Sequence, residues 1–94
     1  MRRIETTGVF KKDFRRVKAS ARHRDIDNLL APIAQLLAMD APLPLRNHDH
    51  SLGGNWSDHR ECHLKPDLLL IYSKPDPDCL RLVRLGSHSE LFGK

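Results

Sequence analysis

The apolar run from Leu68 to Tyr72 constrains the fold more than any other stretch of this sequence. A strand with one face in water alternates apolar and polar residues, whereas a run that is apolar throughout is typical of a strand covered on both faces. The run is also far too short to cross a bilayer. The sequence therefore predicts a sheet in which Leu68–Tyr72 is a central strand with packing on both sides.

Two further strands are predicted beside the central one. Arg60–Leu64 precedes it across the turn Lys65–Asp67, and Leu80–Leu85 follows it across a hairpin loop, Lys74–Asp78, rich in proline and aspartate. Gly86 ends the last strand, and Ser87–Phe92 is expected to form one helical turn or an extra strand. Alternation along the last strand predicts two faces: Leu80, Leu82 and Arg84 on one, and Arg81, Val83 and Leu85 on the other.

The first half of the chain has helical periodicity after a short strand. Arg3–Val9 is the predicted strand, and an apolar stripe at spacings of four, three and four then predicts one face of a helix. A second apolar stripe predicts a helix capped by Asp25 or Asp27, bent at Pro32 and ended near Asp40 by two prolines. The first stripe is Phe10, Phe14, Val17 and Ala21; the second is Ile26, Leu29, Leu30, Ile33, Leu36 and Leu37.

The order of these elements predicts the fold class. One strand, two helices and an antiparallel meander favour an α+β fold, with one twisted sheet and the helices packed against it. At 94 residues the chain is expected to form a single domain, 1–94. Neither a secretion signal nor a disulfide framework is recognisable, so we expect a cytoplasmic protein with Cys62 and Cys79 as free, buried thiols.

Positive charge is concentrated at one end of the chain. Residues 1–24 hold nine Lys or Arg and two Asp or Glu, although the whole chain has a net charge of only +4. Such a segment attracts phosphate without reading sequence, and it could equally bind an acidic protein partner. The basic residues expected on the polar side of the first helix, as a phosphate track, are Lys11, Lys12, Arg15, Lys18 and Arg22.

Histidine is concentrated at the other end. Five of the six histidines lie between His48 and His88: two in the loop Ala41–Asn55, and three in or next to the predicted strands and in the tail after them. Imidazole titrates closest to neutral pH, so this crowding favours proton-transfer chemistry. We expect His48 and His59 to be solvated, Glu61 and Cys62 to be packing or edge residues, and Trp56 to pack rather than stack on a base.

Three segments resemble YafQ-type toxins, which belong to the RelE superfamily of type II toxin–antitoxin systems. They are Arg60–Asp67, Arg84–Phe92, and Asp49-His50 followed by Leu52, Gly54 and Trp56. The resemblance implies a RelE-like twisted antiparallel sheet flanked by helices. It also implies an mRNA endonuclease that cuts in the ribosomal A site, a cognate antitoxin, and operator DNA as a target of the antitoxin complex.

The same resemblance implies roles for individual residues. His50, His63, Asp67 and His88 match the catalytic positions of the family, and Phe92 matches an aromatic residue that supports the active site. Arg84 stands where superfamily members often place a cation for the scissile phosphate. The chain departs from some members at Leu68, where they have tryptophan, which puts base stacking at that position in doubt.

These residue types are sufficient for RNA cleavage without a cofactor or metal. RNA supplies its own nucleophile, the 2′-hydroxyl, so the protein needs a base, an acid for the 5′-oxygen, and charge near the phosphate. We expect His50 or His63 to be the base, His88 the acid, and Asp67 either to orient a histidine or to act as a base itself. Arg84 would then steady the phosphate.

Other interpretations remain open at this point. A metal site formed by His48, His50, Cys62 and His63 is disfavoured because the spacing lacks the close ligand pairs of common zinc sites. A non-catalytic module that binds RNA or represses transcription fits the basic helix, but it has no need of clustered histidines. A degenerate toxin with the same fold and weakened chemistry is the third.

Overall fold

The computed structural model describes residues 1–93, which form five strands and three helices. In chain order they are β1 (Arg3–Thr6), α1 (Gly8–Ala19), α2 (Ile26–Ala38), β2 (His50–Ser51), β3 (Arg60–Lys65), β4 (Leu68–Asp76), β5 (Cys79–Gly86) and α3 (His88–Phe92). The strands form one sheet in the order β1-β5-β4-β3-β2. β1 pairs with β5 in parallel, and every other pair is antiparallel. The predicted α+β order is confirmed.

The central position of β4 is confirmed as well. It lies between β3 and β5, and its residues Leu68–Ser73 are all buried. Helices α1 and α2 cover one face of the sheet, here called the α1/α2 face, with a large core. The opposite face, the α3 face, holds a small core of Leu69, Ile71 and Leu91, with Leu52, Trp56, Val83 and Phe92 packed around it. The core on the α1/α2 face includes Phe10, Val17, Ile26, Ile33, Leu37, Cys62, Leu70, Tyr72, Leu80, Leu82 and Leu85.

The first strand is shorter than the sequence predicted. β1 ends at Thr6 rather than Val9, because Thr7 caps α1. The Thr7 hydroxyl oxygen accepts a hydrogen bond from the Phe10 amide at 2.9 Å, which satisfies one of the free amides of the first turn. Gly8 and Val9 therefore belong to the helix.

The two helices follow their apolar stripes, with corrections at the ends. Ala21 is exposed, because α1 stops at Ala19 and Ala21–His23 forms a separate 3₁₀ turn. Asp25 occupies the cap position of α2, yet its side chain makes no capping bond and pairs instead with Lys65 at 3.1 Å. α2 continues through Pro32 and ends at Ala38, close to the predicted end. The bend at Pro32 stays a prediction.

The β4–β5 hairpin differs from the predicted alternation. β4 runs on to Asp76, so most of the predicted loop is paired strand. Ile71 pairs with Arg84 but Tyr72 pairs with Leu82, which leaves one extra residue on β5. Such a bulge reverses the side chains that follow it. Leu85 therefore joins Leu80 and Leu82 in the core of the α1/α2 face, opposite to the face predicted for it.

A buried carboxylate ties α1 to β5. Asp13 is only 2% exposed, and its oxygens accept bonds from Arg84 Nε at 2.7 Å, the Leu85 amide at 3.0 Å and Arg16 Nη1 at 2.8 Å. Burial raises the pKa of this carboxyl, but these hydrogen bonds outweigh it, so the pKa of Asp13 lies below its ordinary value. Asp13 is therefore ionised and well paired at neutral pH.

Neither cysteine takes part in a disulfide. Cys62 and Cys79 are both buried as free thiols, as predicted, and burial raises the pKa of Cys62 to about 12. Within residues 1–93, no helix combines the length and the apolar character that crossing a bilayer requires.

Candidate active site

The register of the central hairpin places Asp67 opposite His88. Leu69 pairs with Gly86, so the residues two positions beyond that pair, Asp67 in the β3–β4 turn and His88 at the start of α3, face each other. His88 Nδ1 lies 2.9 Å from Asp67 Oδ1, and the His88 amide donates to the same oxygen at 3.1 Å. Because a carboxylate only accepts, Nδ1 carries the proton and Nε2 is left to face outward from this pair.

Three imidazole rings stand in a row across the α3 face. The ring centroids of His48 and His63 are 5.2 Å apart, and those of His63 and His88 are 5.8 Å apart. His50 joins the group through Glu61, with which it is paired across β2 and β3. We call His48, His50, His63 and His88, with the carboxylates of Glu61 and Asp67, the imidazole cluster. It unites the four residues predicted as catalytic.

Glu61 is the buried carboxylate of this cluster. It is 4% exposed, and its Oε1 lies 3.5 Å from His50 Nε2 and 3.6 Å from His63 Nε2. Both distances exceed those of a good hydrogen bond. Glu61 was predicted to be a packing or edge residue; the structure shows it buried and, in addition, beside two rings of the cluster. The signal was available, because Glu61 and His63 are two residues apart on β3 and so share a face.

Asp49 holds the loop that carries His48 and His50 against the sheet. Asp49 Oδ1 accepts from the Tyr72 hydroxyl at 2.5 Å and from Arg60 Nε at 3.2 Å. Tyr72 is almost fully buried, and burial, with Asp49 beside it, raises its pKa. His50 Nδ1 donates to the His48 carbonyl at 2.7 Å, which leaves Nε2 directed to Glu61. These bonds fix both the ring and the tautomer of His50.

The surroundings determine the protonation states of His63 and Asp67 in the imidazole cluster. Burial lowers the pKa of His63, and the neighbouring histidines lower it further, although Glu61 acts in the opposite direction. His63 is therefore neutral at pH 7. The hydrogen bond from the His88 ring, followed by that from the His88 amide, lowers the pKa of Asp67, which is therefore anionic.

An aromatic group adjoins the cluster. The centroid of the Phe92 ring lies 6.5 Å from those of both His88 and Trp56, so Phe92, the last residue of α3, connects α3 to the loop before β3. The predicted packing role of Trp56 fits its half-buried position against Phe92. His59 was expected to be solvated, but it is half-buried with its ring 5.3 Å from Trp56. His48 is exposed as expected, yet its ring also packs against His63.

The predicted phosphate-binding residues are not all in one place. Arg84 donates to Asp13 through Nε and Nη2, so its guanidinium is engaged in the ion pair on the α1/α2 face. Arg22 lines a cleft with Asp67 and is exposed. Lys18 pairs with Asp27 at 2.6 Å. The remaining members of the basic track, Lys11, Lys12 and Arg15, are exposed on α1.

Three members of the cluster could hold a metal ion. Glu61, His63 and His88 each offer a ligand atom, and these atoms lie within 4.8 Å of one another. Two imidazoles and a carboxylate suit copper or zinc. This set shares only His63 with the metal site considered from the sequence, which also included His48, His50 and Cys62, and Cys62 packs in the α1/α2 core.

The sequence profile of a family described as "Bacterial toxin of type II toxin-antitoxin system, YafQ" matches residues 2–93 of this chain. This chain belongs to that family. Among relatives of the YafQ family, the "mRNA interferase toxin YafQ" of Escherichia coli K12 is 39% identical over 92 residues, covering 98% of this chain and 97% of that protein.

Solved structures of YafQ-family proteins share the fold. The toxin chain of the E. coli DinJ–YafQ toxin–antitoxin complex superposes with a TM-score of 0.83 at 40% identity, covering 98% of each chain. A metal-bound toxin from Helicobacter pylori superposes with a TM-score of 0.81 at 45% identity, covering 98% of this chain and all of that one. The predicted resemblance to YafQ-type toxins and the α+β fold are confirmed.

Proposed function

We propose that this chain is an mRNA interferase, an RNA endonuclease that cleaves message on the ribosome by acid–base chemistry without a metal. The convergence of His50, His63, Asp67 and His88 in one cluster carries the proposal. The name of the E. coli relative supports the reaction class. In the reaction, the 2′-oxygen attacks phosphorus as its proton leaves, and the 5′-oxygen departs with a proton, which yields a 2′,3′-cyclic phosphate and a 5′-hydroxyl.

His63 is the base in this proposal. A general base must be unprotonated at the working pH, and the lowered pKa of His63 keeps its ring neutral. Glu61, 3.6 Å from Nε2, balances the positive charge that the ring gains when it takes the proton. His50, held by the His48 carbonyl with Nε2 beside Glu61, is the second candidate for the same task.

His88 is the acid. Its Nδ1 is bonded to anionic Asp67, so the proton that leaves comes from Nε2, and Asp67 balances the charge of the protonated ring. Asp67 thus orients His88 rather than acting as a base. His63 and His88 each offer a ring nitrogen within 4.8 Å of the other, so one phosphate can contact both rings. Each positioned proton-transfer group is typically worth about 10²–10⁴ in rate.

Phosphate is held by cations around the cluster. Arg22 shares a cleft with Asp67 and extends the basic track of α1 to the site. Arg84 remains a candidate for the scissile phosphate, but it would have to share its guanidinium between the phosphate and Asp13. The exposed basic track serves ribosomal RNA and an antitoxin in turn, by analogy with the DinJ–YafQ complex. The proposal also includes an antitoxin complex of this chain that binds operator DNA, and action of the toxin in the cytoplasm.

Mapping the ends of cleaved message in a translating extract tests the proposal. We expect cuts inside translated codons, with 2′,3′-cyclic phosphate and 5′-hydroxyl ends, and loss of cleavage by about 10²-fold or more in His63→Ala and His88→Ala. The matched control is His59→Ala, which removes a histidine that lines a separate cleft with Lys74 and Arg81. It should cleave at the parent rate at equal soluble expression.

Two results would contradict the proposal. If both cluster variants cut as fast as the parent, the assignment of base and acid is wrong. If chelator abolishes cleavage and zinc or copper restores it, the proposed metal-free mechanism is wrong. Glu61, His63 and His88 would then bind a metal that takes part in catalysis.

A further inference from the structure

A second cleft opens on the side of His63 away from His88. It has a volume of about 470 Å³, within the range of small-molecule pockets and large enough for one nucleotide. Arg46, Asn47 and His48 form one wall, from the 3₁₀ turn Leu45–Asn47 and its end. His63, Leu64 and Pro66 form the other, from the end of β3 and the turn after it.

The cleft combines two kinds of surface that suit a nucleotide. The rings of His48 and His63 and the apolar side chains of Leu64 and Pro66 offer flat and apolar surface to a base. Arg46 is exposed, and no carboxylate of residues 1–93 forms an ion pair with it. An arginine without a carboxylate partner retains its full capacity to bind phosphate.

Asn47 gives the cleft a directional group. The residue is 6% exposed, and its Nδ2 donates to the His63 carbonyl at 2.7 Å. Its Oδ1 is buried, and within residues 1–93 no donor reaches it. A buried acceptor without a partner costs free energy, and a ligand that supplies a donor recovers it. Because Oδ1 is shielded, a base can reach it only if the Asn47 side chain shifts as the base binds.

We propose that this cleft is a nucleoside subsite for the RNA residue next to the scissile phosphate. A base with a hydrogen-bond donor on its edge bonds to Asn47 Oδ1, its ring lies against His48 and His63, and its phosphate binds Arg46. The inference rests on the proposed endonuclease function, which puts the scissile phosphate beside His63. It adds a reason for base preference, because Asn47 connects the bound base to the His63 backbone.

Nucleotide binding tests the subsite without any cleavage. Titration with adenosine 3′-monophosphate, followed by NMR, should shift the Asn47 side-chain amide and the His48 and His63 ring signals. Purine riboside 3′-monophosphate lacks only the amino group and should bind about fivefold more weakly. Inorganic phosphate should not shift the Asn47 amide signal. Arg46→Ala should weaken binding about tenfold. The control Arg24→Ala, which removes an exposed arginine outside the cleft, should leave binding unchanged.

The results separate the subsite from the endonuclease proposal. If the parent cuts RNA but adenosine 3′-monophosphate leaves the Asn47 amide signal unmoved, the subsite is wrong and the endonuclease stands. Equal affinity for the two nucleotides, or equal affinity in the Arg46 and Arg24 variants, also overturns the subsite. Binding with the expected pattern in a protein that never cuts RNA would support the subsite and remove the endonuclease.

Discussion

Within residues 1–93, each face of the sheet buries one carboxylate, and the two carboxylates differ in how completely they are hydrogen-bonded. On the α1/α2 face Asp13 accepts bonds from two arginines and a backbone amide, all at 3.2 Å or less. On the α3 face Glu61 is nearly as buried, but its neighbours are two imidazoles at 3.5 and 3.6 Å. Asp13 is saturated with donors, whereas Glu61 retains unused capacity to stabilise charge.

The difference shows how a small domain separates stability from chemistry. A fully paired buried charge costs a great deal to disrupt, so Asp13 holds α1 against the end of β5. A buried charge that is incompletely paired costs stability, and it is retained where positive charge has to be created during a reaction. The α1/α2 face accordingly holds the fold together, and the α3 face carries the proposed active site.

The largest effect expected from this comparison is on stability. Asp13→Ala leaves Arg84 and the Leu85 amide without their acceptor, so the free energy of unfolding should fall by about 3–5 kcal/mol. The matched control is Asp27→Ala, since Asp27 is an exposed carboxylate paired with Lys18, and it should cost at most about 1 kcal/mol. Urea titration measures both. Equal losses would show that the Asp13 network is no stronger than a surface ion pair.

At Glu61 we expect a small effect on stability and a loss of cleavage rate. Glu61→Gln keeps the shape and removes the charge, and no short hydrogen bond is lost, so the free energy of unfolding should change by less than about 1 kcal/mol. The cleavage rate should fall about tenfold or more, because the protonated base loses its counter-charge. Urea titration and cleavage assays on one preparation measure the two quantities. A variant that unfolds as readily as Asp13→Ala would erase the contrast between the faces.

The smallest expected effect is a shift in pH dependence. Because the pKa of His63 is lowered, cleavage should persist below pH 6.5 and fall only as the pH passes through that lowered value. Stability changes in the same direction: the unfolded chain binds the His63 proton first, so the free energy of unfolding decreases as the pH falls below 6.5.

Glu61 gives this pH prediction a control. Glu61 raises the pKa of His63, so Glu61→Gln should move both the His63 ring titration and the acid limb of cleavage to lower pH. NMR titration of the His63 ring measures the first, and a pH–rate profile measures the second. An acid limb that stays in place while the ring titration moves would show that another group is the base.

Much of the fold could be predicted because its signals are local. The apolar run at Leu68–Tyr72 and the helical spacing of Phe10, Phe14 and Val17 each depend on neighbours a few residues away. The bulge at β5 has only a weak local signal: Leu82 and Val83 are consecutive apolar residues, which interrupts the alternation but also fits a strand covered on both faces. Asp13 could not be recognised as buried either, since its partners Arg84 and Leu85 are about 70 residues distant.

The site was predictable to a different extent. His50, His63, Asp67 and His88 were selected by resemblance to a family, and the structure brings these four positions together. Alternation on β3 would have added Glu61 to them. Asn47 and His48 carried no signal, because their positions depend on a 3₁₀ turn and on a left-handed backbone at His48, with φ of 45°. A loop conformation of this kind is decided by tertiary contacts.

The parallel pairing of β1 with β5 also has a consequence for biosynthesis. Thr6 is in register with Leu82, so β1, which is synthesised before the other strands, cannot pair until β5 has been synthesised. Contacts of such long sequence separation form late, because the chain between their ends must be closed first. A growing polypeptide therefore cannot complete this sheet, nor seat His88 beside Asp67, while β5 is still inside the ribosome that makes it.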